Sequence, residues 1–267
     1  MRENKYNEGD SDSPFPSGRA GDGLIFGIRA IIEAINSGKE VDKIFIQNGL
    51  SGELSGELKG LIKKHNIVFQ YVPVEKLNRL TRKNHQGAVC FVSPVAFHSI
   101  ENILPSIFEK GKIPLLIILD RITDVRNFGA IARTAECAGA DAIIIPSRGS
   151  AQVNADAVKT SAGALYKIPV CKEHNLKDTI DYLKDSGVQI VACTEKASEL
   201  FFNADLTAPI AIMLGSEEDG ISEEYLKRAD VKIKIPLSGT IESLNVSVAN
   251  GIILFEAVRQ RLGNLKI

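Results

Sequence analysis

The second half of the chain carries the strictest constraint on the fold. Leu115 to Leu119 reads Leu-Leu-Ile-Ile-Leu, an unbroken apolar run with no alternation of polar and apolar positions. Such a run is typical of a parallel strand that is buried on both faces. Segments of helical length separate it from further apolar runs up to Ile235. Strands joined by helical crossovers lie parallel, so the sequence predicts an α/β fold with a parallel sheet.

A smaller alternating α/β unit precedes that sheet and ends near Val95. We predict a small domain over residues 22–96, a connector over 97–112 and the larger domain over 113–267. Pro105 and Gly111 interrupt the connector, so at most one helical turn is expected there. Residues 1–21 are rich in Ser, Asp, Gly and Pro, a composition that predicts a disordered tail.

Composition excludes several classes of protein. The 267 residues carry a net charge of −1, so any nucleic-acid surface has to be local. No apolar run approaches the roughly 20 residues that cross a bilayer, and the polar amino terminus is unlike a secretory signal. The four cysteines and four histidines show no metal-ligand spacing, which predicts free thiols and no metal. We therefore expect a cytoplasmic protein that has no membrane partner.

One local basic stretch stands out. No Asp or Glu occurs from Lys76 to Ile100, and basic side chains crowd the first half of this segment. They are Lys76, Arg79, Arg82, Lys83 and His85. A solvated helix face explains such a cluster as readily as RNA binding does. For the RNA-binding interpretation, Arg79, Arg82, Lys83 and His85 are the predicted contacts.

Polar loops follow three of the predicted strands. In open parallel sheets, ligands bind beyond the carboxyl ends of the strands. The loops cover residues 120–129, 215–220 and 235–250, and the first leads into a helix that carries Arg133. Taken singly, each loop also fits ordinary helix caps and tight turns. None of them is a phosphate-binding P-loop or a dinucleotide-binding glycine motif.

Together the three loops resemble the signature motifs of the SpoU-type 2′-O-ribose methyltransferases, which belong to the trefoil-knotted superfamily. The matching segments are Asn-Phe-Gly-Ala-Ile-Ala-Arg-Thr-Ala-Glu (127–136), Met-Leu-Gly-Ser-Glu-Glu-Asp-Gly-Ile (213–221) and Ile-Pro-Leu-Ser-Gly-Thr-Ile-Glu-Ser-Leu-Asn-Val-Ser-Val-Ala (235–249). Phe-Gly-Ile-Arg-Ala-Ile-Ile-Glu-Ala (26–34) and Asn-His-Gln-Gly-Ala-Val (84–89) resemble the ribosomal-protein-like substrate-binding domain of many such enzymes. The resemblance implies a knotted methyltransferase domain preceded by a small RNA-binding domain.

The resemblance also implies a cofactor, partners and residue roles. The cofactor is S-adenosylmethionine, and the partners are RNA and a second copy of the chain in a homodimer. Cofactor binding falls to Thr194, Gly215, Ile235 and Leu244. The catalytic pocket is assigned to Asn127, Arg133, Glu217, Ser243 and Asn245. The most similar subgroup methylates a guanosine ribose in large-subunit (23S) ribosomal RNA.

Two other functions remain open at this point. A transfer-RNA ribose methyltransferase shares the three motifs, although the resemblance implies short helical extensions in place of the small domain for the transfer-RNA members. A non-catalytic RNA-binding assembly factor would not need Asn127, Arg133, Glu217 and Asn245, all of which are present. The family assigns activation of the ribose hydroxyl to Arg133. Because arginine keeps its proton in proteins, we interpret Arg133 as an electrostatic clamp on the developing alkoxide or on a phosphate.

Overall fold

A computed structural model describes residues 23–263, so the predicted tail at 1–21 lies outside the described residues. The amino-terminal unit is a four-stranded mixed sheet of order β1-β4-β2-β3, in which only β2 and β3 are parallel. Its elements are β1 (Leu24–Phe26), α1 (Ile28–Asn36), β2 (Val41–Gln47), α2 (Glu53–Lys64), β3 (Phe69–Val72), α3 (Val74–Leu80) and β4 (Ala88–Val92).

The two faces of the amino-terminal sheet bury different clusters. Ile44 and Ile46 of β2 pack in one cluster with residues of α1 and α2. Phe45 points to the other face, where it packs in a cluster with Leu77 of α3 and Val89 of β4. Side chains alternate across a strand, so β2 separates a helix pair from the single helix α3.

The second sheet has eight strands in the order β10-β12-β9-β11-β6-β7-β8-β5, and every pair is parallel. Its elements are β5 (Phe97–His98), α4 (Ile100–Glu109), β6 (Leu115–Leu119), α5 (Val125–Cys137), β7 (Ala142–Pro146), α6 (Ala155–Thr160), β8 (Val170–Glu173), α7 (Leu176–Asp185), β9 (Gln189–Cys193), β10 (Glu199–Leu200), β11 (Ile210–Leu214), α8 (Glu223–Leu226), β12 (Val231–Lys234) and α9 (Val246–Gly263).

The central strand β6 confirms the prediction of a parallel sheet buried on both faces. All five of its residues are buried. Ile117 and Leu119 join a cluster that contains α5 and α9, whereas Leu116 and Ile118 join a cluster that contains α4 and α7. The α/β fold with a parallel sheet is therefore confirmed, while the knot stays a prediction.

The segment 97–112, expected as a connector, is built into the large sheet. Phe97 pairs with Val170 in β5 and β8, and the Ile100 N–H donates to Glu173 Oε1 at 2.8 Å. Helix α4 contains Pro105 in its interior, where proline removes one backbone hydrogen bond. Leu104 is buried in the core on the same helix, and this burial offsets the cost of the proline.

Three short-range features complete the fold. Phe26 ends strand β1, and helix α1 begins two residues later at Ile28. A 3₁₀ turn occupies Ala164–Tyr166, and strand β8 begins at Val170. The two-residue strand β10 was not predicted, since a pair of residues shows no periodicity.

Two polar contacts join the units. The Lys172 ammonium of β8 pairs with the Asp42 carboxylate of β2 and also donates to the Asp42 carbonyl at 3.0 Å. Nearby, the Asn66 amide donates to His174 Nε2 at 2.8 Å. Asp42 and Lys172 are both largely buried, so their ion pair ties β2 to β8 in a partly dry environment.

Arg261 fastens the last helix to the amino-terminal edge of the large sheet. Its guanidinium donates to the carbonyls of Leu206 and Ala208 before β11, and to those of Ile113 and Pro114 before β6. Burial lowers the pKa of Arg261, and the charge of Asp141 opposes that shift. Among residues 23–263, no helix is long and apolar enough to cross a membrane.

Candidate functional site

Four adjacent parallel strands end at one edge of the large sheet. The sheet order places β12, β9, β11 and β6 side by side, so their carboxyl ends lie together. Thr194, Gly215 and Ile235 each come directly after one of these strands, and Asp120 follows β6. The loops that the sequence singled out therefore converge at the edge where parallel sheets bind ligands.

Three polar side chains from these loops form a closed hydrogen-bonded triangle. The Asn127 amide of α5 donates to Glu217 Oε1 at 3.1 Å, and the Asn245 amide donates to the same oxygen at 2.8 Å. The Asn245 amide also donates to Asn127 Oδ1 at 2.9 Å. Residues separated by 90 and 28 positions thus meet at one carboxylate oxygen. The structure brings together these three predicted site residues.

The loop that carries Glu217 is clamped by Arg121, a residue that the sequence analysis did not single out. Arg121 donates to the Asp219 carboxylate at 3.0 Å and to the Gly220 carbonyl at 3.1 Å. It also donates to Asp120, whose second oxygen accepts the Ser222 N–H at 2.8 Å. Arg121 adopts a φ of 57°, which is rare for a residue with a side chain. A charged pair that directly follows a buried strand was the signal in the sequence.

Beside the triangle lies a cavity of about 240 Å³. Side chains from the ends of β6 and β11 and from both flanking helices line it, including Arg121, Asp124, Asn127, Glu217 and Val246. Asp124 also caps α5, because its carboxylate accepts the Asn127 N–H at 2.7 Å. This bond positions the Asn127 side chain at the start of the helix.

Glycine at two motif positions is required by packing. A β-carbon on Gly215 would lie 2.0 Å from the Gly220 carbonyl carbon, because the 215–220 loop folds back on itself. A β-carbon on Gly129 would lie 2.7 Å from the Thr160 side chain, where α5 and α6 pack closely. Gly215 is a predicted cofactor residue. In the structure, the absence of a side chain at this position also allows the 215–220 loop to close.

Two predicted cofactor residues, Thr194 and Ile235, follow β9 and β12, the strands that lie beyond β11 from β6. Thr194 is buried, and its N–H donates to the Ile233 carbonyl at 2.9 Å between β9 and β12. Ile235 packs on the core, and the loop after it exposes the apolar side chains of Leu237 and Leu244. Polar strand ends beside exposed apolar side chains can hold a group with a flat ring and several hydrogen-bonding substituents.

Two predicted catalytic residues stand apart from the triangle. Arg133 is exposed and forms no side-chain hydrogen bond or ion pair within residues 23–263. It lies six residues after Asn127 on α5, about 9 Å along the axis and roughly 240° around it. Ser243 is likewise exposed, and within residues 23–263 its side chain forms no hydrogen bond with the triangle residues. The monomer fold therefore leaves Arg133 facing solvent.

The amino-terminal unit holds a second, more open cavity of about 520 Å³. Arg82, Lys83 and His85 of the predicted RNA-binding set line it, and Arg79 does not. His85 is buried: its Nε2 bonds to Asn78 Oδ1 at 2.9 Å, and its Nδ1 accepts the Gly87 N–H at 3.0 Å. Both ring nitrogens thus have partners within the protein, so His85 supports the loop that carries Arg82 and Lys83. A direct contact of His85 with RNA stays a prediction.

Neither a metal-binding cluster nor a reactive thiol is found at these strand ends among the described residues. Within the described residues, no three His, Cys, Asp or Glu side chains are close enough to hold a metal. Burial raises the pKa of the Cys193 thiol, next to Thr194, to about 12, and the Glu195 charge adds to the shift. A thiol with this pKa stays protonated near neutral pH and is a poor nucleophile.

Comparison with known families gives two matches along the chain. Residues 114–255 match the SpoU rRNA methylase family, and residues 24–98 match the substrate-binding family of RNA 2′-O ribose methyltransferases. YacO of Bacillus subtilis, named for the TrmH family of tRNA/rRNA methyltransferases, is 34% identical over 238 residues. This alignment covers 89% of the chain and 95% of YacO.

Solved structures agree with these matches. The SpoU methyltransferase AviRb of Streptomyces viridochromogenes, in complex with AdoMet, superposes with a TM-score of 0.59 at 24% identity, over 92% of both chains. A TrmH/SpoU tRNA modifying enzyme of A. aeolicus superposes with a TM-score of 0.52 at 32% identity, over 61% of the chain and 85% of that enzyme. The first likeness supports the fold, and the second also supports relatedness in sequence.

Proposed function

Because the chain belongs to the SpoU family of RNA methyltransferases, which use S-adenosylmethionine, we propose that it methylates a ribose 2′-hydroxyl of a guanosine in large-subunit ribosomal RNA. The observation that carries this proposal is the triangle of Asn127, Glu217 and Asn245 beside a cavity at the strand ends. Three hydrogen-bonding side chains from separate segments fix the orientation of a polar ligand there.

S-adenosylmethionine fits the residues beyond β9, β11 and β12. Leu237 and Leu244 offer apolar surface for an adenine ring, and the backbone around Gly215 and Ile235 offers hydrogen bonds to its polar edge. When bound, the cofactor supplies an electrophilic methyl group on a sulfonium. In this proposal Thr194 closes the same wall from the β9 side.

The residues of the triangle position the ribose. Glu217 Oε1 accepts from two amides, which leaves its second carboxylate oxygen to accept a hydrogen bond from a substrate hydroxyl. Arg121 holds the Glu217 loop against β6, so the carboxylate is fixed before the substrate arrives. Reacting atoms held about 3–3.5 Å apart in line gain several kcal/mol from positioning alone.

Arg133 and Ser243 complete the proposed pocket only when the substrate is present. An exposed guanidinium without an internal partner is suited to a phosphate or a developing alkoxide. We assign Arg133 to that electrostatic task, with the hydroxyl proton leaving to phosphate or water. Ser243 lies in the loop that precedes Asn245 and contributes a hydroxyl at the same edge of the sheet.

Substrate choice falls to the amino-terminal unit. In the proposed organisation, residues 22–96 select the RNA and residues 113–267 hold the cofactor and the reacting ribose. Arg82 and Lys83 are exposed around a cavity whose loop is fixed internally by His85. Phosphates attract such cations, and splayed bases in an RNA loop present edges for amide contacts. This unit favours ribosomal RNA over the transfer-RNA alternative.

The proposal includes a homodimer through α9. Val248, Phe255 and Leu262 are each at least half exposed and recur every seven residues, so they share one helix face. A contiguous apolar stripe of this kind marks an interaction surface, and a second copy matches it by two-fold symmetry. We expect Phe255→Glu to convert a dimer into a monomer in sedimentation experiments. A wild-type protein that sediments as a monomer would remove the homodimer from the proposal.

Ribose-methylation mapping tests the main proposal. Ribosomal and transfer RNA are compared among cells with the wild-type gene, a deletion, and an Arg133→Ala allele. We expect one guanosine ribose in large-subunit ribosomal RNA to lose its methyl group in both mutants. Loss at a transfer-RNA position would establish the alternative substrate. Unchanged methylation in both RNA classes would leave the non-catalytic assembly factor, and the proposal would be wrong.

A further inference from the structure

Four cationic side chains lie on elements that meet at the junction of the two units, where Asp42 of β2 pairs with Lys172 of β8 and Lys172 lies opposite Ile145 of β7. Lys43 lies on β2 and Lys76 on α3, while Arg148 follows β7 and Lys172 lies on β8. The Lys43 and Lys76 ammonium groups each lie 4.8 Å from the centre of the Phe45 ring. They are thus at most about 10 Å apart, close to the Debye length at 0.1 M salt, so they repel each other.

The charge of this cluster is not balanced within the protein. Burial lowers the pKa of Lys43, and the charges of Lys76, Lys172 and Arg148 lower it further. Asp42 opposes this shift, but its carboxylate already pairs with Lys172. No ion pair within residues 23–263 includes Lys43, Lys76 or Arg148. Like charges that lack a carboxylate partner destabilise one another, and an anion bound among them relieves that repulsion.

The cluster lies between the two cavities. Strand β2 runs from Lys43 to Gln47, about 13 Å away, and Gln47 lines the amino-terminal cavity. On the other side, Gly149 follows Arg148, and a β-carbon on it would lie 3.9 Å from Cγ of Arg121. Arg121 lines the cavity beside the triangle. The ion pair of Asp42 with Lys172 joins the strands that carry these cations.

We propose that Lys43, Lys76 and Arg148 bind phosphates of the RNA backbone between the nucleotides held by the amino-terminal unit and the ribose at the triangle. This inference rests on the proposed function insofar as the substrate is RNA. The cations come from both units, so one RNA strand bound here contacts both sheets at once. A backbone contact of this kind sets register and orientation and does not read the base sequence.

The test removes the three charges and measures the salt dependence of RNA binding. The variant is Lys43→Gln/Lys76→Gln/Arg148→Gln. The matched control, Lys63→Gln/Lys64→Gln/Lys110→Gln, removes three exposed cations from the ends of α2 and α4. A charge-retaining variant, Lys43→Arg/Lys76→Arg/Arg148→Lys, keeps the cluster basic. The probe is an unmodified large-subunit ribosomal RNA transcript in filter-binding assays from 50 to 200 mM salt.

The expected result is a shallower salt dependence. Each phosphate contact contributes about 0.7–0.9 to the slope of log affinity against log salt, so losing three lowers the slope by about 2. Affinity at the lowest salt should fall at least tenfold, whereas the control and the charge-retaining variant keep the wild-type slope. A wild-type slope in the cluster variant overturns the inference, and so does an equal loss in the control.

Failure of this inference and failure of the proposed function are separable. Binding is measured without methylation, and S-adenosylmethionine affinity by calorimetry reports whether the variant is folded. If wild-type protein methylates the transcript while the cluster variant keeps the wild-type slope, only this inference is wrong. If the cluster variant loses slope while wild-type protein transfers no methyl group to any ribose, the proposed function is wrong and the phosphate site stands.

Discussion

The two cavities are both lined by polar and charged side chains, but they differ in how far these side chains are bonded to one another. At the triangle, the polar side chains of Asn127, Glu217 and Asn245 bond to one another, which orients each of them within the protein itself. In the amino-terminal cavity, His85 bonds to Asn78 within the protein, whereas the side chains of Arg82 and Lys83 are exposed and form no ion pair within residues 23–263. Chemistry needs orientation fixed in advance, whereas binding to a flexible polyanion needs charge that can follow its phosphates.

The largest expected effect is on methyl transfer in triangle variants, which should lose the orientation of the ribose without losing RNA binding. Asn245→Ala removes two hydrogen bonds of the triangle, and Glu217→Gln replaces the shared acceptor. We expect single-turnover methyl transfer to fall by about 10²-fold to 10³-fold, as when one preorganised polar group is lost elsewhere. RNA affinity should stay within about twofold, because the amino-terminal cations are untouched.

The matched control for the triangle is Glu57→Gln, an exposed carboxylate on α2 far from the strand ends. It should transfer methyl groups at the wild-type rate. Triangle variants that retain rates within a few-fold of wild type would show that the hydrogen bonds only support the loops. The cavity beside the triangle would then not differ from the amino-terminal cavity in having its side chains oriented in advance.

Much of this contrast could be predicted from the sequence, because strand ends follow from the apolar pattern. Leu115 to Leu119 identifies β6, and the loops after β6 and β11 identify Asn127 and Glu217 as neighbours in space. The sequence could not show that His85 is buried, since a lone histidine in a basic stretch fits either environment. For Arg121, the charged pair after a buried strand was a signal, but its bonds to the 215–220 loop and its positive φ have no pattern in the sequence.

Helix α4 shows a different limit. Pro105 and Gly111 predict a connector by local propensity, yet burial of Leu104 and Ile107 in the core keeps the segment helical. Tertiary packing outweighed a cost of about 3 kcal/mol for an interior proline. Local rules fail where a segment completes a sheet assembled from distant strands, and β5 pairs with β8 about 70 residues away.

The second prediction concerns the basic segment of the amino-terminal unit, two of whose cations line the amino-terminal cavity. Replacing Arg79, Arg82 and Lys83 with Gln should weaken RNA binding by about tenfold at low salt and lower the salt slope by about 2. Methyl transfer at saturating RNA and S-adenosylmethionine affinity should stay near wild type. Filter binding across a salt series measures the slope, and calorimetry measures the cofactor. An unchanged slope would mean that these cations are only a solvated face.

The third prediction concerns stability and is confined to the large sheet. Arg261→Met leaves four backbone carbonyls without their donor, and we expect a loss of about 2 kcal/mol in the free energy of unfolding. Hydrogen exchange should accelerate at the starts of β6 and β11 and remain unchanged in β2. The control Arg126→Met removes an exposed arginine that has no ion pair within residues 23–263. Equal loss in the control would contradict the assignment.

The smallest effect is a difference in thiol reactivity. Burial raises the pKa values of Cys90, Cys171 and Cys193 to about 12, whereas Cys137 is exposed on α5. The three buried thiols stay protonated at pH 8, so iodoacetamide should modify only Cys137 in the native chain. After denaturation it should modify all four cysteines. Mass spectrometry gives the count. Modification of Cys90 in native protein would show that the amino-terminal sheet opens more readily than the large one.

The position of Arg261 has a consequence for synthesis on the ribosome. The carbonyls that Arg261 binds precede β6 and β11. The starts of these two central strands therefore lack their hydrogen-bond donor until a side chain about 50 to 150 residues later has been translated. Asn245 also emerges late, whereas the amino-terminal unit is complete at Val92. A nascent chain therefore presents a finished basic surface long before its polar triangle can close. Under the proposed function, an emerging chain carries its RNA-binding surface before it carries the residues that position the ribose.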